Sequence, residues 1–309
     1  MAKTEVHPPL RRAFGLTFRS ALPLPELALA GIDVADVEIT FESVPERLEG
    51  ASPLEPCMQV LPDVLQFNTP AARYRVREGR QIAIEPHSGA TEADIRLYLL
   101  GTVMGALCHQ RGLLALHATA LNWSSGAVIV AGPSGAGKST LAAQHHARGG
   151  GVLTDDLCVL DLNPGRPTMV YPGPRRLKLW DDSPALDAWP VRARSRLAQG
   201  VDKFSMPLAA AAGRAPLALL VLRPRERNDW DGEAAPPAIT VMAGPEAVGA
   251  LVSHVFRLPL AIAMGRSTDV FSQAVLLAGG LPVHEVRYVH DPERPLKLLD
   301  AMSNHLAGG

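Results

Sequence analysis

The run Gly132-Pro133-Ser134-Gly135-Ala136-Gly137-Lys138-Ser139 fills every fixed position of the phosphate-binding pattern G-x-x-x-x-G-K-[ST]. Glycines at 132, 135 and 137 permit backbone angles that turn successive amide N–H groups inward as a nest for phosphate oxygens. Lys138 brings a mobile positive charge to the β- and γ-phosphates, and the Ser139 hydroxyl suits Mg²⁺. Thr140 extends the expected nucleotide-binding segment by one residue. Taken bare, such a pattern is a Gly-rich turn. Its flanks argue for more: Ala127–Ala131 is a short apolar run that reads as a buried strand, and 140–144 is rich in helix formers. The helix would present its positive end to the same anion. The segment implies a nucleoside triphosphate.

Phosphoryl transfer also needs a partner for Mg²⁺ and a group to orient or deprotonate the attacking oxygen. Asp155-Asp156 stands sixteen residues after Ser139, at the end of an apolar strand-like run. One carboxylate can hold the metal while its neighbour, pointing elsewhere, takes the acceptor's proton. Elsewhere in a chain, such a pair reads as turn residues or a helix cap. His117 ends an apolar run one hairpin before the loop; alone, it reads as a satisfied core residue. Arg175, Arg176 and Lys178 follow a Pro-Gly-Pro turn beside Trp180, and Lys203 lies further on. These cations suit a transferring phosphoryl group or a peptide carboxylate, and equally a solvated strand edge. Arg194, Arg196 and the adjacent His145-His146 read as surface residues.

Two regions must position these groups. From Ala13 to about Glu85, short alternating segments are separated by prolines, and Glu78-Gly79-Arg80 reads as a hairpin turn. A long helix follows, with Thr91 as N-cap, an apolar stripe from Ile95 to Cys108, and a stop at Arg111-Gly112. Residues 1–111 are therefore expected as a smaller β-rich domain ending in a connecting helix. Residues 112–309 alternate strands and helices: strands at 113–121, 127–131, 152–154, 157–160, 216–222 and 283–288, and helices after the loop, at 245–256 and at 292–306. That alternation indicates an α/β catalytic domain.

Composition bounds the rest. The chain has 309 residues, 47% apolar and 20% charged, which describes a globular protein. A formal net charge of −1 gives no general attraction to nucleic acid or to an acidic membrane surface. No apolar run reaches bilayer length, and Lys3 and the two early arginines precede no secretory apolar segment. Three scattered cysteines suit a reducing compartment and provide no zinc pattern. A cytoplasmic protein is expected, acting on neither nucleic acid nor membrane.

His117, the loop, and Thr154-Asp155-Asp156 together resemble the HPr serine kinase/phosphorylase family over about residues 112–162. The resemblance implies a nucleotide fold like that of phosphoenolpyruvate carboxykinase, and phosphoryl transfer from ATP, with Mg²⁺, to a serine of a small protein. It implies Asp155 as the base, Asp156 with Ser139 as the magnesium contacts, and His117 beside the reacting phosphate. It also leaves room for a homo-oligomer. Two departures stand out: Thr140 occupies a position where that family commonly carries Glu, and the C-terminal glycine-rich signature is absent. The segment 171–180 with Asp202-Lys203-Phe204 is similar to HPr-kinase-like proteins that phosphorylate a serine of a lasso-peptide-type precursor. The expected activity is thus an ATP-dependent protein or peptide serine kinase, and the alternatives are an HPr kinase of carbon regulation or a small-molecule kinase or ATPase. A guanylate-kinase reading lacks the basic region expected after the loop, and a transporter ATPase lacks an L-S-G-G-Q-like segment.

Overall fold

The structure, a computed structural model of the chain, describes residues 9–55, 57–198, 200–225, 237–289 and 295–307. It is a mixed α/β architecture with several sheets. Ahead of the connecting helix lies one nine-stranded sheet. The alternating stretch near its start is a hairpin, not a single strand: Arg11–Ala13 pairs with Leu16–Ser20 around Phe14 (φ 56°) and Gly15 (φ 76°). Two left-handed residues match the twist of a tight hairpin. The expected turn at 78–80 joins Ala72–Arg77 to Gln81–Pro86, placing Tyr74 opposite Ile84 and Val76 opposite Ile82 on the buried face.

The connecting helical run covers 92–110. Thr91 and Asp94 form a reciprocal capping box, and a wider turn at Leu99–Val103 separates Glu92–Tyr98 from Met104–Gln110. Its apolar stripe packs into the sheet, and Tyr74 Oη donates to the Ile95 carbonyl at 2.8 Å. The same hydrophobic cluster continues through Leu113, Ala115, Leu157, Val159, Phe256 and Leu260, so the core runs past residue 111 without a gap.

The remainder centres on a six-stranded sheet in the order Gly151–Thr154, Ala118–Asn122, Ala127–Ala131, Pro216–Arg225, Val283–Val289, Ala238–Met242. The three strands 127–131, 216–225 and 283–289 run parallel. Both faces are covered, as parallel strands require. Val128 and Val130 pack with Leu141, Ala142 and Leu298 from the helices Lys138–Ala147 and Pro295–Ala307. Ile129 and Ala131 face Ala247, Leu251 and Ala274 from Gly244–Ser253 and Ser267–Gly280. Residues 292–294 of the expected closing helix lie outside the described residues.

The apolar run 113–121 is not one strand. It breaks at His117, so that Leu114–Leu116 pairs with Cys158–Asp161 while Ala118–Asn122 pairs with Gly151–Thr154. The paired segment of the same chain breaks at the same level, at 155–157. Two neighbouring segments thus pass from one sheet into another side by side, and the polar residues at the two breaks meet.

Candidate active site

Between the strand Ala127–Ala131 and the helix Lys138–Ala147 the glycine loop takes the conformation its sequence allows. Gly132, Gly135 and Gly137 have φ of 152°, 81° and 82°. At Gly132 a Cβ would lie 3.0 Å from the Leu222 carbonyl, and Gly137 caps the helix in the left-handed region. Tyr288 Oη donates to the Ala136 carbonyl and ties the loop to the parallel strand Val283–Val289, two places along the sheet from Ala127–Ala131; burial pushes that phenol up to about 12. Lys138 donates to the carbonyls of Gly132 (2.9 Å) and Pro133 (3.0 Å). Burial lowers its pKa, against the pull of Asp155 and Asp156.

The acidic pair splits into two environments. Asp155 is 6% exposed. Its Oδ1 accepts from Thr119 Oγ1 at 2.7 Å and Ser139 Oγ at 2.9 Å, and its Oδ2 accepts from the Lys178 N–H at 3.1 Å. Asp156 has φ 77°, uncommon for a residue with a side chain, and so turns its carboxylate the other way. It accepts from Lys178 Nζ at 2.6 Å and lies 3.1 Å from His117 Nδ1. Burial raises its pKa, but Lys178 and His117 together outweigh burial and hold it well below the ordinary carboxylate range. His117 is itself fixed at the strand break, its N–H donating to the His254 carbonyl at 2.7 Å.

A cleft of about 450 Å³ gathers these groups: Ser134 to Leu141, His117, Asp155, Asp156, Lys178, Trp180 and Lys203 all line it, with Tyr288 and Leu298. Of the four cations singled out in the sequence, Lys178 and Lys203 are brought there and two are not. Arg176 is 4% exposed and faces Glu26, Nη1 to Oε1 3.7 Å; Arg175 donates to the Pro25 carbonyl at 3.0 Å. The adjacent histidines are not free surface residues either. His145 stacks on Trp123 and His146 on Trp189, each with ring centroids 5.0 Å apart. Arg194 and Arg196 pair with Asp187 and Asp202.

Ser139 Oγ and the Asp155 carboxylate put two hard oxygens side by side on the cleft, a donor set that fits Mg²⁺, which completes its shell with water and phosphate oxygens. The sequence expectation gave Asp156 to Ser139; the carboxylate bonded to that hydroxyl is the one from Asp155. Among the described residues no group of three or more His, Cys, Asp and Glu side chains is arranged to hold a metal. Thr119 and Tyr288 carry no expectation from the sequence, which marks Trp180 only as the neighbour of the basic segment. Thr119 has a signal in the sequence as a polar residue inside an otherwise apolar run, two positions from His117.

No protein-family model matches the chain, and no curated protein matches it. Among solved structures the chain is similar to that of the Hpr(Ser) kinase/phosphatase from Coxiella burnetii, at 14% sequence identity and a TM-score of 0.32, over 62% of this chain and 95% of that one. A superposition that loose carries no weight for activity. No described helix is long and apolar enough to cross a membrane.

Proposed function

We propose that the chain is an ATP-dependent phosphotransferase acting on a serine hydroxyl of a small protein or precursor peptide. The observation that carries this reading is the division of labour within the acidic pair. Asp155 accepts three hydrogen bonds, one of them from Ser139, and suits the metal side of the site. Asp156 is about one-third exposed, faces the cleft and is kept anionic beside Lys178 and His117. In this reading the base is therefore Asp156, and Asp155 serves with Ser139 as the Mg²⁺ pair. Mg²⁺ there supplies charge neutralisation on the phosphate oxygens.

The serine oxygen bonds to the γ-phosphorus, the bond to the β–γ bridging oxygen breaks, ADP leaves, and the serine proton passes to Asp156. A carboxylate of low pKa is adequate, because in a loose transition state the acceptor proton departs late and orientation matters most. Lys138 and Lys178 offset charge on the transferring group. A precursor peptide is favoured over HPr because Thr140 and the absent glycine-rich signature depart from the HPr enzymes.

The test is intact-mass spectrometry of candidate precursor peptides and of HPr after incubation with the protein, ATP and Mg²⁺. One added phosphate on a peptide serine, lost in Lys138→Ala and Asp156→Asn, is the expected result. ADP accumulating without a phosphorylated acceptor, or full transfer by Asp156→Asn, would overturn it.

A further inference from the structure

The phosphotransferase reading uses only part of the lining of the cleft. Asp155 and Ser139 mark the side of the terminal phosphate, with Asp156 and His117 beyond it. The strand Arg176–Trp180 leaves these residues at Lys178, whose N–H is held by Asp155. Two residues on, about 6.6 Å further along an extended strand, stands Trp180. Its strand and the short helix Pro184–Ala188 that follows pack on the helix after the loop through Leu179, Ala185 and Leu186. Trp180 thus lines the same cleft as the loop residues, Thr140 and Leu141.

Trp180 is 56% exposed, in contrast to Trp123 and Trp189, whose rings are each covered by a histidine. Its indole is nonetheless held in place. Lys203, its cross-strand partner, lies with Nζ 4.2 Å from the ring centroid, a cation–π contact that fixes the orientation of the ring. Lys203 lines the cleft with Lys138. One cleft thus holds both an oriented, open aromatic face and a cation-lined phosphate cradle. A cleft of about 450 Å³ lies within the range of small-ligand sites, roughly 300–1,000 Å³.

The geometry points to Trp180, held by Lys203, as the stacking surface for the nucleobase of the bound nucleotide. This rests on the reading of the loop as a triphosphate site and adds the part of the ligand the loop does not read. A phosphate cradle alone binds tripolyphosphate as well as ATP. The indole supplies the difference, and because every base has a π-face it supplies it with little preference among bases.

The experiment is calorimetric titration of the full chain, with Mg²⁺, by ATP and separately by tripolyphosphate, in the wild type, Trp180→Ala and Trp180→Phe. Trp180→Ala is expected to weaken ATP about ten-fold, the scale of one base–aromatic stack, and to leave tripolyphosphate unchanged. Trp180→Phe keeps a ring and stays within about two-fold of wild type. Wild-type affinity for ATP in Trp180→Ala, or equal loss of both ligands, overturns the stacking proposal while the loop remains a phosphate site. If the wild type binds neither ligand, the nucleotide reading itself has failed and the stacking site falls with it.

Discussion

Asp155 and Asp156 share a charge and a neighbourhood but not a task, and a single dihedral separates them. The positive φ of Asp156 sends its carboxylate toward Lys178 and His117, while Asp155 stays under the loop with Thr119 and Ser139. In Asp155→Asn at least one donor loses its acceptor whichever way the amide is turned: the Lys178 N–H if the oxygen stays toward the hydroxyls, or the Thr119 and Ser139 hydroxyls if it is flipped. A buried donor left unsatisfied costs about 1–3 kcal/mol, so urea denaturation should show a loss of that size. Asp156→Asn exchanges a partly exposed carboxylate and should unfold closer to wild type while losing turnover. Equal stability losses in the two variants would refute the split. The pair was legible in the sequence as a pair. Which member does which was not, because residue types carry no record of backbone handedness at a given position.

At the scale of elements, local signals translated directly. The capping box at Thr91, the turn at 78–80 and the strand–loop–helix around Lys138 each follow from residues close together in the chain. The break at His117 does not. Residues 113–121 are apolar except for His117 and Thr119, and a buried strand that changes sheets looks much the same in sequence as one that does not. What sets the break is distant: the His254 carbonyl takes the His117 N–H, and the 154–157 turn takes the neighbouring position. That turn is closed by Thr154 Oγ1 donating to the Leu157 carbonyl at 2.7 Å, and the segment leading to Arg176 crosses it at Gly173, whose N–H donates to the Leu153 carbonyl at 3.0 Å. A Cβ at Gly173 would fall inside contact distance of Thr154 Oγ1 and stand 3.0 Å from Phe14 Cε1. Gly173→Ala should therefore shift the turn carrying both aspartates and destabilise by about 1–3 kcal/mol, the cost of overpacking. Thermal unfolding checks the stability, and ADP release checks the turn. An alanine variant that melts and turns over like wild type would show that the crossing has slack.

Across the whole molecule, the nine-stranded sheet and the cleft are joined by charge as well as by core. Glu26, in the segment after Leu16–Ser20, pairs with Arg96 on the connecting helix at 3.0 Å and faces Arg176 at 3.7 Å. Its backbone carbonyl receives the Arg175 N–H at 2.7 Å. Arg176 is buried, with Nε and Nη2 lacking hydrogen-bond partners. Burial lowers its pKa, while Glu26, Asp156 and Asp155 favour its charged form. Two residues along the same strand, Lys178 holds both aspartates. The sequence separates Glu26 from Arg176 by 150 positions, and no periodicity or motif links them. Removing one partner of a buried pair costs about 3–5 kcal/mol. The carboxylates still near Arg176 put Glu26→Gln at the low end, about 3 kcal/mol. Because the strand that carries Arg176 also carries Lys178, the same substitution should weaken Mg²⁺-dependent turnover at temperatures where the variant remains folded. Glu26→Asp, which keeps the charge, should recover most of both. Denaturation and turnover measured side by side decide it. Lost stability with unaltered turnover of the folded fraction would confine Glu26 to holding the sheet against the rest of the fold. Loss of both, with rescue by Asp, would make the sheet a support for the catalytic strand.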